Sequence, residues 1–184
     1  MIVNNYRSIM FFRLLLAFTL SVQTSFGAGG SQKENTLSFH LQGHETDGPK
    51  RVFSHVIENE RRFFQKIPFI STKDIIAYRP FISENGEPGA VFQFSEAASK
   101  RLTAHTTQNQ GKTIIAMING RPVDQPEIFV DQPIQDGKLV IWEGLKDAEM
   151  TSFELSLPHI GEDTKQWKAR VKELKAALKE RQNN

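Results

Sequence analysis

The chain has 184 residues, no cysteine, and 23 Lys and Arg against 21 Asp and Glu. That length suffices for one domain with its own core, and the lack of cysteine excludes disulfides, thiolate metal sites and lipid attachment through a cysteine. A near-balanced charge leaves no electrostatic footprint for nucleic acid as a partner.

Residues 1–27 are predicted to be a cleavable signal peptide. Arg7 and Arg13 charge its start, Leu14 to Val22 form a short apolar run, and Ser25-Phe26-Gly27 places small residues before a cut that leaves Ala28 as the new N-terminus. A spanning helix needs ~20 apolar residues. Arg13, Thr19, Ser21 and Gln23 break this run, so it reads as a leader and not an anchor, and no transmembrane span is expected. The leader takes two bases and no acid with it, which leaves the remainder with 21 of each sign. The expected product is exported, to the periplasm or beyond.

Residues 28–35 are small and polar, as in a flexible mature terminus. Residues 36–160 are expected to form a single domain. Leu37, Phe39 and Leu41 alternate with Ser38, His40 and Gln42, which predicts a half-buried strand followed by a turn. Residues 51–66 fit either a helix behind Pro49 or, preferably, a hairpin of VFSHVI and RRFFQKI around ENE. Pro68 and Pro80 are expected to break regular structure, with Ser71 or Thr72 capping a short turn.

Gly89 to Phe94 reads as a strand, after which Ser95 caps a helix running to about Thr107. Lys112 to Ile118 is a buried-type strand, and Asn119-Gly120 turns a tight hairpin into an irregular return broken by Pro122, Pro126 and Pro133. Leu139 to Trp142 gives another strand, and Lys146 to Leu155 a helix. Residues 161–184 are predicted to hold a charged amphipathic helix capped by Asp163 with Gln166, its apolar stripe formed by Trp167, Val171, Leu174 and Leu178. Its surplus of Lys and Arg suits solvent, an acidic partner or an anionic surface.

Three stretches carry a family likeness: IPFISTKDI, then AVFQFSEAASKRLTAHTTQNQGKTIIAMINGRPVDQPEI, then PIQDGKLVIWEGLKDAE. Ser95, Leu102, Thr107, Gly111, Lys112, Gly120 and Pro126 occur in the family's order with compatible spacing. On these residues the interval 67–155 resembles the periplasmic head subdomain of SecD, the membrane protein that assists preprotein export. The resemblance implies an exported domain that touches unfolded or partner polypeptide. A proton-driven motor role does not carry over, because that role needs intramembrane ionisable groups. The close spacing of Gly144 to Asp147 and Ala148 also departs from the family pattern.

The residues mark no catalytic constellation. His40 and His44, with Glu45 and Asp47, have the spacing of a helical metal pair, but Gly43 and the strand pattern argue against a helix there. His55, His105 and His159 are scattered. There is no Gly-x-Ser-x-Gly elbow, and nothing selects a carboxylate pair among Asp74, Glu84, Glu87, Asp124 and Glu127. Gly86 and Gly89 sit outside any phosphate-cradling pattern.

The expectation is therefore an α+β, two-layer domain with a mixed sheet covered by helices, acting as a non-catalytic binding module with no metal, cofactor or nucleic acid. Its partner would be a polypeptide or protein of the cell envelope, met at an unpaired strand edge for which Glu127 to Gln132 is the candidate; no individual contact residue is assigned. The alternatives are a structural envelope protein that self-associates through the last helix, and a hydrolase without a recognisable motif.

Overall fold

A computed structural model describes residues 35–183. The expected leader and most of the mature terminus lie outside them. Nine strands and three helices follow in the order β1 (Leu37–Leu41), β2 (Val52–Ile57), β3 (Glu60–Gln65), β4 (Ile70–Ser71), β5 (Ile75–Ile82), β6 (Pro88–Phe94), α1 (Glu96–Gln108), β7 (Thr113–Ile118), β8 (Arg121–Phe129), β9 (Lys138–Ile141), α2 (Asp147–Ser156) and α3 (Thr164–Asn183). None of these helices is long and apolar enough to cross a membrane.

The α+β class holds, and within it the strands sort into three antiparallel sheets instead of one mixed sheet. Sheet A has the order β4-β1-β7-β8, sheet C the order β5-β6-β9, and β2 pairs with β3 as a hairpin. β2 with β3, β5 with β6 and β7 with β8 are joined by short turns, whereas β1 with β7 and β6 with β9 pair across long connections. The parallel element among the described residues is a bridge of Tyr78 to His159.

Alternation builds the core. Leu37, Phe39 and Leu41 of β1 lie opposite Ile118, Ala116 and Ile114 of β7, so one face of sheet A is continuously apolar. Tyr78 and Phe92 do the same in sheet C, with Leu139 opposite Phe92. Ala98 and Leu102 of α1 and Phe153 of α2 complete one cluster with both sheets. The rings of Tyr78, Phe92 and Phe153 lie 5.2–6.2 Å apart, within the range where aromatic pairs attract.

Local chemistry sets the element ends. The Ala98 N–H donates to Ser95 Oγ at the start of α1. Asn119 and Gly120 take φ of 51° and 80°, the left-handed pair that a two-residue hairpin turn requires. Pro80, expected to interrupt, sits inside the eight-residue β5. It is tolerated because β5 is an edge strand of sheet C, where a missing N–H breaks no second ladder.

Partly buried ion pairs fasten the helices. Arg121, at the start of β8, donates to both oxygens of Glu149 at 2.7 and 2.9 Å, tying α2 to sheet A. Arg101 of α1 meets Asp74 at 2.6 Å, and the Ser71 N–H bonds the same carboxylate. α3 is held through Arg170, which donates to Glu162 at 2.9 and 3.0 Å, to the Leu157 and Glu154 carbonyls at 3.2 and 3.1 Å, and to the Glu154 carboxylate. Trp167, Val171, Leu174 and Leu178 are half-buried and stand apart from the core cluster.

The Arg170 hydrogen bond holds the Glu162 carboxyl at about 2, against an ordinary 4.5, outweighing a smaller opposing effect of burial. A carboxyl depressed on folding stabilises above its unfolded pKa, and that contribution is lost as pH falls through the folded value. Glu162→Gln is accordingly expected to lower Tm by a few degrees at pH 6. The gap from the parent should close between pH 4.5 and 2 in paired thermal melts.

Candidate functional site

The outer face of sheet A carries a partly covered surface with a cleft. Residues opposite in register share a face, so Ser38 and His40 of β1, Met117 and Ile115 of β7, and Glu127 of β8 all point away from the main core. The β2–β3 hairpin covers part of this face. Glu58 and Asn59 turn it with φ of 50° and 65°, and Phe53, Ile57 and Phe64 from its inner side form a second small core with Ile115.

His40 pins the hairpin in place. Its Nδ1–H donates to the Gln65 carbonyl at 2.7 Å, the Ser38 hydroxyl lies 2.9 Å from Nε2, and its ring meets Phe53 edge-on at 5.4 Å. Burial pushes its pKa below the ordinary value and outweighs the raising effect of the Gln65 bond, so the ring is neutral. At the other end of the hairpin Arg62 reaches Thr113 Oγ1 at 3.4 Å and Glu60 at 3.4 Å.

The hairpin covers β1 and β7 but stops short of β8, and a cleft of about 470 Å3 opens between them. Ile57 and Phe129 give its apolar lining, with Phe129 62% exposed although it is a phenylalanine on a sheet. Glu58, Asp124 and Glu127 bring three carboxylates to the same cleft, and Arg62 one base.

β8 is also the edge of sheet A, and its outer side pairs with no strand among the described residues. Glu127 to Phe129 keep regular register with Ile115 to Thr113, whereas the next β7 pairing jumps to Pro122, so the intervening residues arch out of the ladder. Gly144 closes against that arch: a Cβ there would sit 2.6 Å from the Asp124 nitrogen.

A second apolar surface is the outer face of sheet C. Phe81 and Trp142 meet edge-on at 5.8 Å, and Trp142 is 64% exposed. Val91 and Val140 continue the same face in register. Gly89 has to be glycine here, because a Cβ would lie 2.3 Å from the Trp142 carbonyl oxygen and 2.7 Å from the Phe81 ring.

The residues singled out in the sequence separate into distinct places. His40 is buried with both ring nitrogens engaged, while His44 sits in an exposed turn. His105 packs on Phe69 at 5.2 Å, and His159 bonds Glu154 at 3.0 Å. Among the described residues no group of three or more His, Asp or Glu is placed to hold a metal. Of the five carboxylates, Asp124 and Glu127 come together in the cleft; Asp74 is taken by Arg101, and Glu84 and Glu87 lie exposed in the β5–β6 loop.

Phe129, Arg62, Phe81 and Trp142 were not legible as surface residues. The nearest signal is the alternation in Leu139 to Trp142, where Leu139 and Ile141 face the core and Trp142 falls on the opposite side.

No family model matches the chain, and no curated protein matches it. Among solved structures it is similar to SecDF in a super-membrane-facing form, at 20% identity and TM-score 0.44 over 62% of this chain and 17% of that one. It is also similar to SecDF described as a membrane component that enhances protein export, at 19% identity and TM-score 0.44, covering 65% and 59% of the two chains. A third is SecDF from Thermus thermophilus, a translocon-associated membrane protein, at 18% identity and TM-score 0.37 over 66% and 19%. The chain thus spans less than two thirds of each of these proteins.

Because His40 closes the hairpin onto sheet A, His40→Ala is expected to cost about 1–3 kcal/mol and to leave the Gln65 carbonyl without its donor. Hydrogen exchange should quicken at the amides of β2 and β3 before those of β5 and β6 are affected.

Proposed function

We propose that the mature chain is an exported module that binds extended polypeptide in the cell envelope and performs no chemistry on it. The carrying observation is the unpaired edge at Glu127 to Phe129, lying beside a cleft into which Phe129 is turned half-clothed, at 62% exposure. An extended segment adds to such an edge through backbone hydrogen bonds and gains specificity from pockets for alternate side chains. A large exposed apolar side chain at that place is what an unfolded segment would bury. The leader read in residues 1–27 supports the envelope as the place of action, and the motif resemblance of residues 67–155 points to the same class of partner.

Burying a phenylalanine contributes about 1.5–3 kcal/mol. Phe129→Ser is therefore expected to weaken binding of a permanently unfolded, reduced and alkylated protein by at least ~tenfold, measured by titration of the full chain. Equal affinity of the variant, or equal binding of the same protein in its folded form, would remove the basis for this reading.

A second reading, self-association, is favoured by the uncovered face of sheet C. The route through α3 is the weaker one, because Lys168, Lys172, Lys175 and Lys179 cluster along one flank of its apolar stripe and two copies would bring like charges together. Trp142→Lys is expected to abolish any dimer seen by sedimentation, and removal of residues 162–184 to leave it unchanged. A monomer at all concentrations would dismiss self-association.

A further inference from the structure

We propose that the β8 cleft selects extended segments in which a basic residue lies two positions from an apolar one. This rests on the polypeptide-binding reading and adds the chemistry of the partner. The cleft presents Glu58, Asp124 and Glu127, and the Asp124 and Glu58 side chains are 76% and 84% exposed. Its one base, Arg62, is already committed: its guanidinium lies 3.4 Å from Glu60 and from Thr113, and 4.0 Å from Glu58. Asp124 has only a long contact of 3.9 Å with Arg121, itself engaged by Glu149 at 2.7 Å. Glu127 makes no ion pair among the described residues, so the cleft keeps an unneutralised negative surplus beside Phe129.

That surplus is local. The sequence after residue 27 balances 21 bases with 21 acids, and two other cavities lack it. One, near Val52 and Ile67, is lined by Lys50 and Arg51 against Asp47, and the other by Lys73 with no acid. Carboxylates at a surface reward a cation within about a Debye length, about 8–10 Å at moderate salt. Glu127 and Phe129 share one face of β8, so a lysine or arginine on an incoming strand is within that range of Glu127 when the apolar side chain two positions away covers Phe129, side chains i and i+2 of a strand lying on one face about 6.8 Å apart in rise. Backbone pairing at Glu127 to Phe129 then holds the segment, Phe129 is covered, and the carboxylates decide its charge.

The test uses the full chain and three synthetic extended peptides on one apolar framework, carrying two lysines, two glutamates or neither. The lysine peptide is expected to bind at least ~fivefold tighter than the neutral one and the glutamate peptide weaker, with the spread shrinking as salt is raised. Asp124→Asn combined with Glu127→Gln, or Glu127→Lys alone, each of which balances the charges of the cleft, should erase the spread. Neutral and lysine peptides bound equally by the parent, or a preference that survives the double variant, would overturn the charge selection and leave polypeptide binding standing. Failure of all three peptides to bind, with the unfolded protein also unbound, would overturn both. Far-ultraviolet dichroism and melting of each variant check that it is folded.

Discussion

Sheet A is covered on both faces over β1 and β7 and on one face over β8, and the rest of the molecule is arranged around that inequality. On the inner side Leu37, Phe39, Leu41, Ile114, Ala116 and Ile118 join the main core; on the outer side Ile115 packs under Phe64 and Ile57. A strand such as TIIAMI, apolar at almost every position, has no face to give to water. Something has to cover its second face, and the β2–β3 hairpin is the element that does so. A hairpin of two six-residue strands is too narrow to reach the whole of a four-stranded sheet. The cleft is the area left over.

Charge follows the same division. Where helices meet sheets the bases and acids are paired and partly withdrawn from water, as in Arg121 with Glu149, Arg101 with Asp74 and Arg170 with Glu162. Removing one partner of such a pair strands the other in a poorly solvated place, which makes these contacts structural. At the cleft the carboxylates are solvated and unmatched, so their field is available to a visitor. Paired charges hold the frame and unpaired ones face the opening.

How much of this was legible in the residues depends on the range of the interaction that decides each feature. The hairpin at 52–65, the Ser95 cap and the Asn119-Gly120 turn are settled by neighbours in sequence, and the chain carries their signals openly. The capping pair at the start of α3 is equally local: the Asp163 carboxylate accepts from the Gln166 N–H at 2.8 Å, and the Asp163 N–H donates to Gln166 Oε1 at 3.0 Å. Pro80 misled because its tolerance depends on β5 having no second strand beside it at that position, a fact of sheet order. The same holds for three sheets in place of one. Phe129 and Trp142 are apolar residues like any other until the fold is known to leave them uncovered. The edge at Glu127 was anticipated from proline-broken irregularity; its cleft was not, since Ile57, Glu58 and Arg62 of its lining come from a hairpin some sixty positions earlier.

The arch in β8 bears on a hazard that every open sheet border carries. A long, flat border invites another molecule of the same kind to dock along its whole length, and then another, ending in fibres. Here Ala116 alone faces the span from Val123 to Pro126, so the ladder loses its spacing after Glu127, and prolines at 122 and 126 withhold donors from any continuation. A border interrupted in this way grips a few residues of a guest and has nowhere to extend. The protein can thus offer unfilled hydrogen-bonding capacity to a passing chain without becoming a seed for its own polymerisation.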